Sequence, residues 1–287
     1  MAPSYSFARL GRRDLELLAG VASQSELERA RQDEEALDRL LARPRLFELL
    51  FGAEPETALV RASPFLFFSV LLLRLAADMG EARFVSERVG SGQRVPVFDV
   101  RGPREFLTHR ERRVFLTDLL ISYTRVAGGS VWFRTPRGWR RRRYSELDPL
   151  RLAELVEVMP EAQHAQVYRR LGDLCLFLAG VFPDHVAAHP VQPRHLARIA
   201  RVLGGGEAES PGPSELVLAG GSGLWELEWV GRRAYRRAAA GGGPQREQLR
   251  DVARRFGQAR RVLDLLARRH LYPSRSLWFE QPGADGR

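Results

Sequence analysis

Ser63-Pro-Phe-Leu-Phe-Phe-Ser-Val-Leu-Leu-Leu73 reads as the opening of a buried helix. Ser63 is a residue type that caps helix N-termini, and Pro64 suits the first turn, where no amide donor is needed. The residues that follow are apolar nearly all round, so their helix belongs inside a core rather than on a surface. Arg74 interrupts the run well before the ~20 residues that a membrane span requires. A second apolar run, Leu171 to Leu178, reads the same way. Both point to a mainly α chain.

Working outward, Ser23-Gln-Ser-Glu26 has the spacing of a capping box. The helix it opens is expected to carry Leu27, Ala30, Leu37, Leu40 and Leu41 on one face. Pro44 starts a short helix through Phe51. Further helices are expected over Glu111 to Val126, Leu150 to Val158, Ala162 to Val181 and Arg194 to Leu203. Trp225 and Trp229 share a helix face. After Gly241-Gly-Gly-Pro244, the positions Leu249, Val252, Phe256, Ala259, Leu263 and Leu266 step by threes and fours along one long final helix.

One segment breaks the pattern. Ser130-Val-Trp-Phe-Arg-Thr135 and Trp139-Arg-Arg-Arg-Arg-Tyr144 flank Pro136-Arg-Gly138, two β-prone runs around a turn. The expected fold is therefore a helical bundle with one inserted basic β-hairpin at about residues 130–144. Residues 1–203 read as the helical domain with its hairpin, and 204–213 as a loop or linker. Residues 214–287 read as C-terminal helices on the same core.

Composition removes whole mechanisms. The chain has neither lysine nor asparagine, and all 45 of its Lys+Arg residues are arginine. There is no phosphate-gripping Walker lysine, no Schiff-base lysine and no N-glycosylation acceptor. Gly90-Ser-Gly92 and Gly220-Gly-Ser-Gly223 lack the strand–helix context of a dinucleotide fingerprint. The single cysteine, Cys175, excludes an intramolecular disulfide. With no signal-like start at Met1-Ala-Pro-Ser-Tyr-Ser6, a reducing cytoplasm is the expected setting. Of the net charge of +10, residues 101–150 hold 12 arginines against 5 acidic residues.

Leu171-Gly-Asp-Leu-Cys-Leu-Phe-Leu-Ala-Gly-Val-Phe-Pro183 resembles a segment of uncharacterised bacterial proteins of similar length. The ending from Arg260-Arg-Val-Leu263 to Leu277-Trp-Phe279 resembles them too. That resemblance implies no activity.

The hairpin is the main candidate site. Arg134, Arg137, Arg140, Arg141, Arg142 and Arg143 surround Trp132, Trp139 and Tyr144. Guanidinium forks suit phosphate oxygens, and aromatic rings stack on bases. A second constellation is a buried polar centre of Arg74, Asp118 and Asp173, charges inside apolar helices that need partners. Asp173 can reach Arg169 or Arg170, and Arg74 is expected to pair with Asp118. Weak metal candidates are His185, His189 and His195, although Pro190 and Pro193 interrupt their spacing. Glu161-Ala-Gln-His164 has diiron ExxH spacing but no second copy. The leading reading is a non-enzymatic interaction or regulatory protein, without cofactor, that docks an anionic partner through the hairpin. Nucleic acid is the first such partner and an acidic protein surface the second. Alternatives are a ligand- or metal-binding protein or enzyme using the polar groups above, and a subunit that self-associates through the C-terminal helix.

Overall fold

The computed structural model describes residues 3–52, 61–81, 85–88, 94–97, 100–124, 128–135, 138–145, 147–204 and 223–271. Glu81 and the strand segments are described by backbone alone. The chain is mainly α-helical. Its helices are α1 (Arg12–Ala19), α2 (Gln24–Gln32), α3 (Glu34–Leu41), α4 (Pro44–Phe51), α5 (Pro64–Glu81), α6 (Arg101–Thr108) and α7 (Arg110–Ser122), then α8 (Pro149–Leu155), α9 (Glu161–Val181), α10 (Pro183–Ala188), α11 (Pro193–Val202), α12 (Gly223–Ala240), α13 (Arg246–Arg254) and α14 (Phe256–Leu266). A π-helical turn, Ala267–Leu271, follows α14. Two antiparallel backbone pairs complete the elements: β1 (Val85–Arg88) with β2 (Arg94–Val97), and β3 (Gly128–Thr135) with β4 (Gly138–Ser145). No helix among the described residues is long and apolar enough to cross a membrane.

The chain divides into two compact units, Met1–Ala82 with Leu107–Thr124 and Leu265–Arg287, and Arg83–Phe106 with Arg125–Asp264. The first is built around α5, whose Phe65 to Leu72 segment is buried. Leu66 and Val70 join Leu18, Ala30, Leu37, Leu40, Leu41, Leu46 and Leu50 in one apolar cluster. Ser63 caps α5 as expected, its hydroxyl accepting from the Leu66 amide at 3.2 Å. The Ser63 amide in turn donates to the fully buried Asp14 at 2.7 Å.

The helix expected from Ser23 onward is two helices. Asp33 adopts extended dihedrals (φ −119°, ψ 118°) and its carboxylate accepts from the Glu35 amide, so it ends α2 and caps α3. The Ser23–Glu26 capping box is present. Hydrogen bonds from Arg43, then Ser23, lower the Glu26 carboxyl pKa to about 2. Glu26 therefore supports the folded state above its ordinary 4.5, and that support fades as pH falls toward 2.

In the second unit, α9 packs along α12 through glycines. A Cβ at Gly172 would lie 2.6 Å from the Tyr235 ring, and one at Gly231 would lie 2.5 Å from the Phe256 ring and 2.9 Å from Cys175 Cβ. The long final helix is broken at Arg255 (φ −103°, ψ 20°) into α13 and α14. The apolar positions foreseen for it are nonetheless all buried, from Leu249 to Leu266. That seam is covered within its own chain. Gly204, at positive φ (70°), follows the end of α11, where Arg237 Nε donates to the Leu203 carbonyl at 2.7 Å.

Residues 205–213 of the expected linker lie outside the described residues, as do Gly90-Ser-Gly92, Gly220-Gly-Ser222 and the ending through Phe279.

Candidate nucleic-acid interface

The β3–β4 backbone pairs Ser130 with Arg143, Val131 with Arg142, Trp132 with Arg141, Phe133 with Arg140 and Arg134 with Trp139. Gly129 is opposite Tyr144 and Thr135 opposite Gly138. The side chains of these residues, and Arg137 entirely, lie outside the described residues. The segment 128–145 contains six arginines and no acidic residue.

Several acidic groups of the described helices are bound to other arginines. Glu34 and Asp38 of α3 are two of them. Both are held by α7. Arg110 pairs with Glu34 and lies 3.8 Å from Asp38, and Arg113 pairs with Asp38. In the second unit, Arg198 holds Glu154 at 3.1 Å and Glu157 at 3.0 Å, Arg260 and Arg232 hold Glu228, and Arg255 holds Glu105 at 3.2 Å and Asp251 at 3.3 Å. Many of the arginines on the described helices thus form internal ion pairs. Along α2 and α3 a groove of about 320 Å³ is lined by Arg29, Arg39 and Arg43 with Glu26 and Asp33, where Arg39 pairs with Asp33 and Arg43 with Glu26.

The buried polar centre is not assembled as expected. Arg74 pairs with Asp78 one turn along its own helix at 3.1 Å, and its guanidinium lies 5.2 Å from the Phe47 ring centroid. Asp118 pairs instead with Arg9, whose guanidinium also stacks 4.2 Å from the Phe65 ring centroid. Both Arg74 and Asp118 keep access to water, with side chains 42 % and 30 % exposed. A same-helix partner four residues away needs no long-range placement, which is why Asp78 outcompetes Asp118. Asp173 is buried. It accepts from the Tyr235 hydroxyl at 2.9 Å, and Arg169 lies 3.7 Å away. Each of the three residues has its own separate partner.

His185 and His189 are exposed and stacked at 4.4 Å, with His189 Nδ1 3.1 Å from the His185 carbonyl. His195 sits on α11. Among the described residues no group of three His, Cys, Asp or Glu side chains could hold a metal ion. His164 uses Nε2 on the Met159 carbonyl at 3.0 Å. Cys175 is fully buried, and burial pushes its thiol pKa well above the ordinary value, so it is an inert core thiol.

Two titratable groups went unnoticed in the sequence. His270, in the π-helical turn, has its pKa lowered by burial and lies edge-on to Phe47 at 5.9 Å. Glu226 is buried on α12, accepts the Val191 amide at 3.1 Å, and has its pKa raised by burial. Its signal was available: Gly223, Leu227, Val230 and Ala234 mark the buried face of α12, and Glu226 falls in step with them.

Glu226 gives a pH prediction. A carboxyl whose pKa is raised on folding contributes stability that is full below the unfolded value of 4.5 and is lost as pH rises through the folded value. Glu226→Gln keeps an oxygen for Val191 and never ionises. Its melting temperature is expected to match wild type near pH 4 and to exceed it by a few degrees at pH 8. Equal melting temperatures at pH 8 would contradict the assignment.

No protein-family model matches the chain, and neither the curated proteins nor the solved structures contain a match.

Proposed function

We propose that this chain is a non-enzymatic interaction protein that docks an anionic partner, nucleic acid in the first instance, through the Arg-rich segment 128–145. The observation that carries the reading is the concentration of basic charge in one segment. A number of arginines on the described helices are engaged by carboxylates, Arg110 and Arg113 by Glu34 and Asp38 among them. The segment 128–145 concentrates six arginines without one acidic residue in its own sequence. Six like charges held close together repel each other, and an external polyanion relieves that repulsion while releasing its own counterions. The planar guanidinium fork matches phosphate and carboxylate oxygens alike, and a nucleic acid adds a regular array of phosphates together with bases that aromatic rings can stack on. Nothing in the segment specifies base-edge readout, so the contacts are positional rather than sequence-specific.

The test that separates the two partner classes is competition. A labelled oligonucleotide bound to the protein is challenged with unlabelled nucleic acid and with polyglutamate of equal charge. The nucleic acid is expected to displace the label at concentrations at least about tenfold lower, since charge-assisted pairs to phosphate combine with stacking. Displacement by polyglutamate at equal or lower concentration would favour an acidic protein surface.

A further inference from the structure

We propose that the ligand is a single-stranded nucleic acid, and that it lies on the one face of the β3–β4 ribbon formed by positions 130, 132, 134, 139, 141 and 143. This rests on the docking reading above and deepens it. The register decides the face. Residues directly opposite each other in an antiparallel pair share a face, and successive residues along a strand alternate between faces. The pairs Trp132 with Arg141, Arg134 with Trp139 and Ser130 with Arg143 therefore belong to one face. Val131 with Arg142, Phe133 with Arg140 and Gly129 with Tyr144 belong to the other.

The four-arginine run is thus not one patch. Its members divide between two faces of different character. On the first, Trp132 and Trp139 each have an arginine as the next same-face position on their own strand, Arg134 and Arg141, and each is opposite an arginine on the other strand, with Ser130 and Arg143 closing the face. On the second, β3 contributes Val131 and Phe133 while β4 contributes Arg140 and Arg142, so apolar and basic positions form separate columns. Same-face positions repeat every ~6.8 Å along a strand. That is about twice the ~3.4 Å stacking rise of a nucleic-acid strand, so one flat base matches the interval between two planar groups. Indole and guanidinium are both planar stacking groups, and the guanidinium also serves the adjoining phosphate. A duplex hides its base faces within its own stack and would use only the arginines. The alternating face is matched to unpaired bases with their backbone.

The experiment compares a labelled oligo(dT) strand, an abasic strand of equal length and a duplex, by anisotropy at one salt concentration. Wild type is expected to bind oligo(dT) at least about tenfold more tightly than the abasic strand, the yield of one or two stacked bases. Trp132→Leu with Trp139→Leu is expected to bring that ratio close to one. Phe133→Leu with Tyr144→Leu, on the other face, is expected to leave it unchanged. A wild-type ratio near one, tighter binding of the duplex, or collapse of the ratio in the Phe133/Tyr144 variant would overturn the single-strand face while leaving anion docking intact. The wild-type ratio needs no variant, so it stands even where a substitution disturbs folding. Failure to bind any of the three probes would overturn the docking reading itself.

Discussion

Gly231→Val is expected to lower the midpoint of thermal unfolding by roughly 10 °C or more, the largest effect of any single substitution considered for the helical body. A Cβ built on Gly231 falls 2.5 Å from two atoms of the Phe256 ring and 2.9 Å from Cys175 Cβ. Phe256 and Cys175 are themselves fully buried, so neither has an empty site to move into. The strain must then pass to the α9–α12 pair or to Phe256 itself. Interiors packed near crystal density accept such insertions poorly, and a β-branched side chain with little rotamer freedom is the worst case. A cost on the order of 4 kcal/mol is expected. The control is Gly80→Ala, where a Cβ meets nothing within 4 Å and the substitution should be neutral or stabilising. Melting curves of the two variants check the argument. Equal melting temperatures would show that the close approach at Gly231 is not a packing constraint.

Asp14→Ala is the second large effect. Asp14 is fully buried, and each oxygen serves a different helix start. Oδ2 accepts from the Gly11 amide at 2.8 Å, which caps α1, and Oδ1 accepts from the Ser63 amide at 2.7 Å. Ser63 in turn caps α5, the core helix of its unit. Alanine leaves both amide donors without their acceptor. Hydrogen bonds to a charged acceptor are worth about 1.5–3 kcal/mol each, so a total loss of roughly 3–5 kcal/mol is expected. Asp14→Asn retains one carbonyl oxygen and should fall between wild type and alanine. Denaturant unfolding measures all three, and an Asp14→Ala midpoint equal to that of wild type would contradict the shared-cap role.

These two residues show which parts of the molecule were legible. The apolar content of Phe65 to Leu73 and the Ser63–Pro64 start were enough to announce α5, because both act within a turn or two of the chain. The same holds for the capping box at Ser23 and Glu26. Asp33 was a local signal passed over: the apolar positions Leu27 to Leu41 keep their period across it, so periodicity alone joined α2 to α3. Arg255 was masked in the same way by the unbroken seam from Leu249 to Leu266. What local reasoning could not supply was partnership at long range. The bond from Asp14 to Ser63 spans 49 residues, and that from Tyr235 to Asp173 spans 62. The pairing of Asp118 with Arg9 is as distant, and a nearer match for Arg74, Asp78, was available on its own helix. Glu226 falls in the apolar rhythm of α12, and its burial rests on the Val191 amide, 35 residues away in sequence. For the ribbon, composition and turn chemistry named the basic segment, whereas the sorting of its arginines onto two faces depends on register, which a shift of one residue would invert.

The central claim is that the 128–145 segment is a phosphate-binding element. The direct test is the dependence of nucleic-acid affinity on salt, for wild type beside a variant with Arg140, Arg141, Arg142 and Arg143 changed to serine. On a plot of log affinity against log salt concentration, each lost phosphate contact flattens the slope by about 0.7 for a single strand. The account predicts micromolar or tighter binding by wild type at low salt, and a variant slope flatter by at least about one unit with correspondingly weaker binding. Identical slopes and affinities for the two proteins would contradict it.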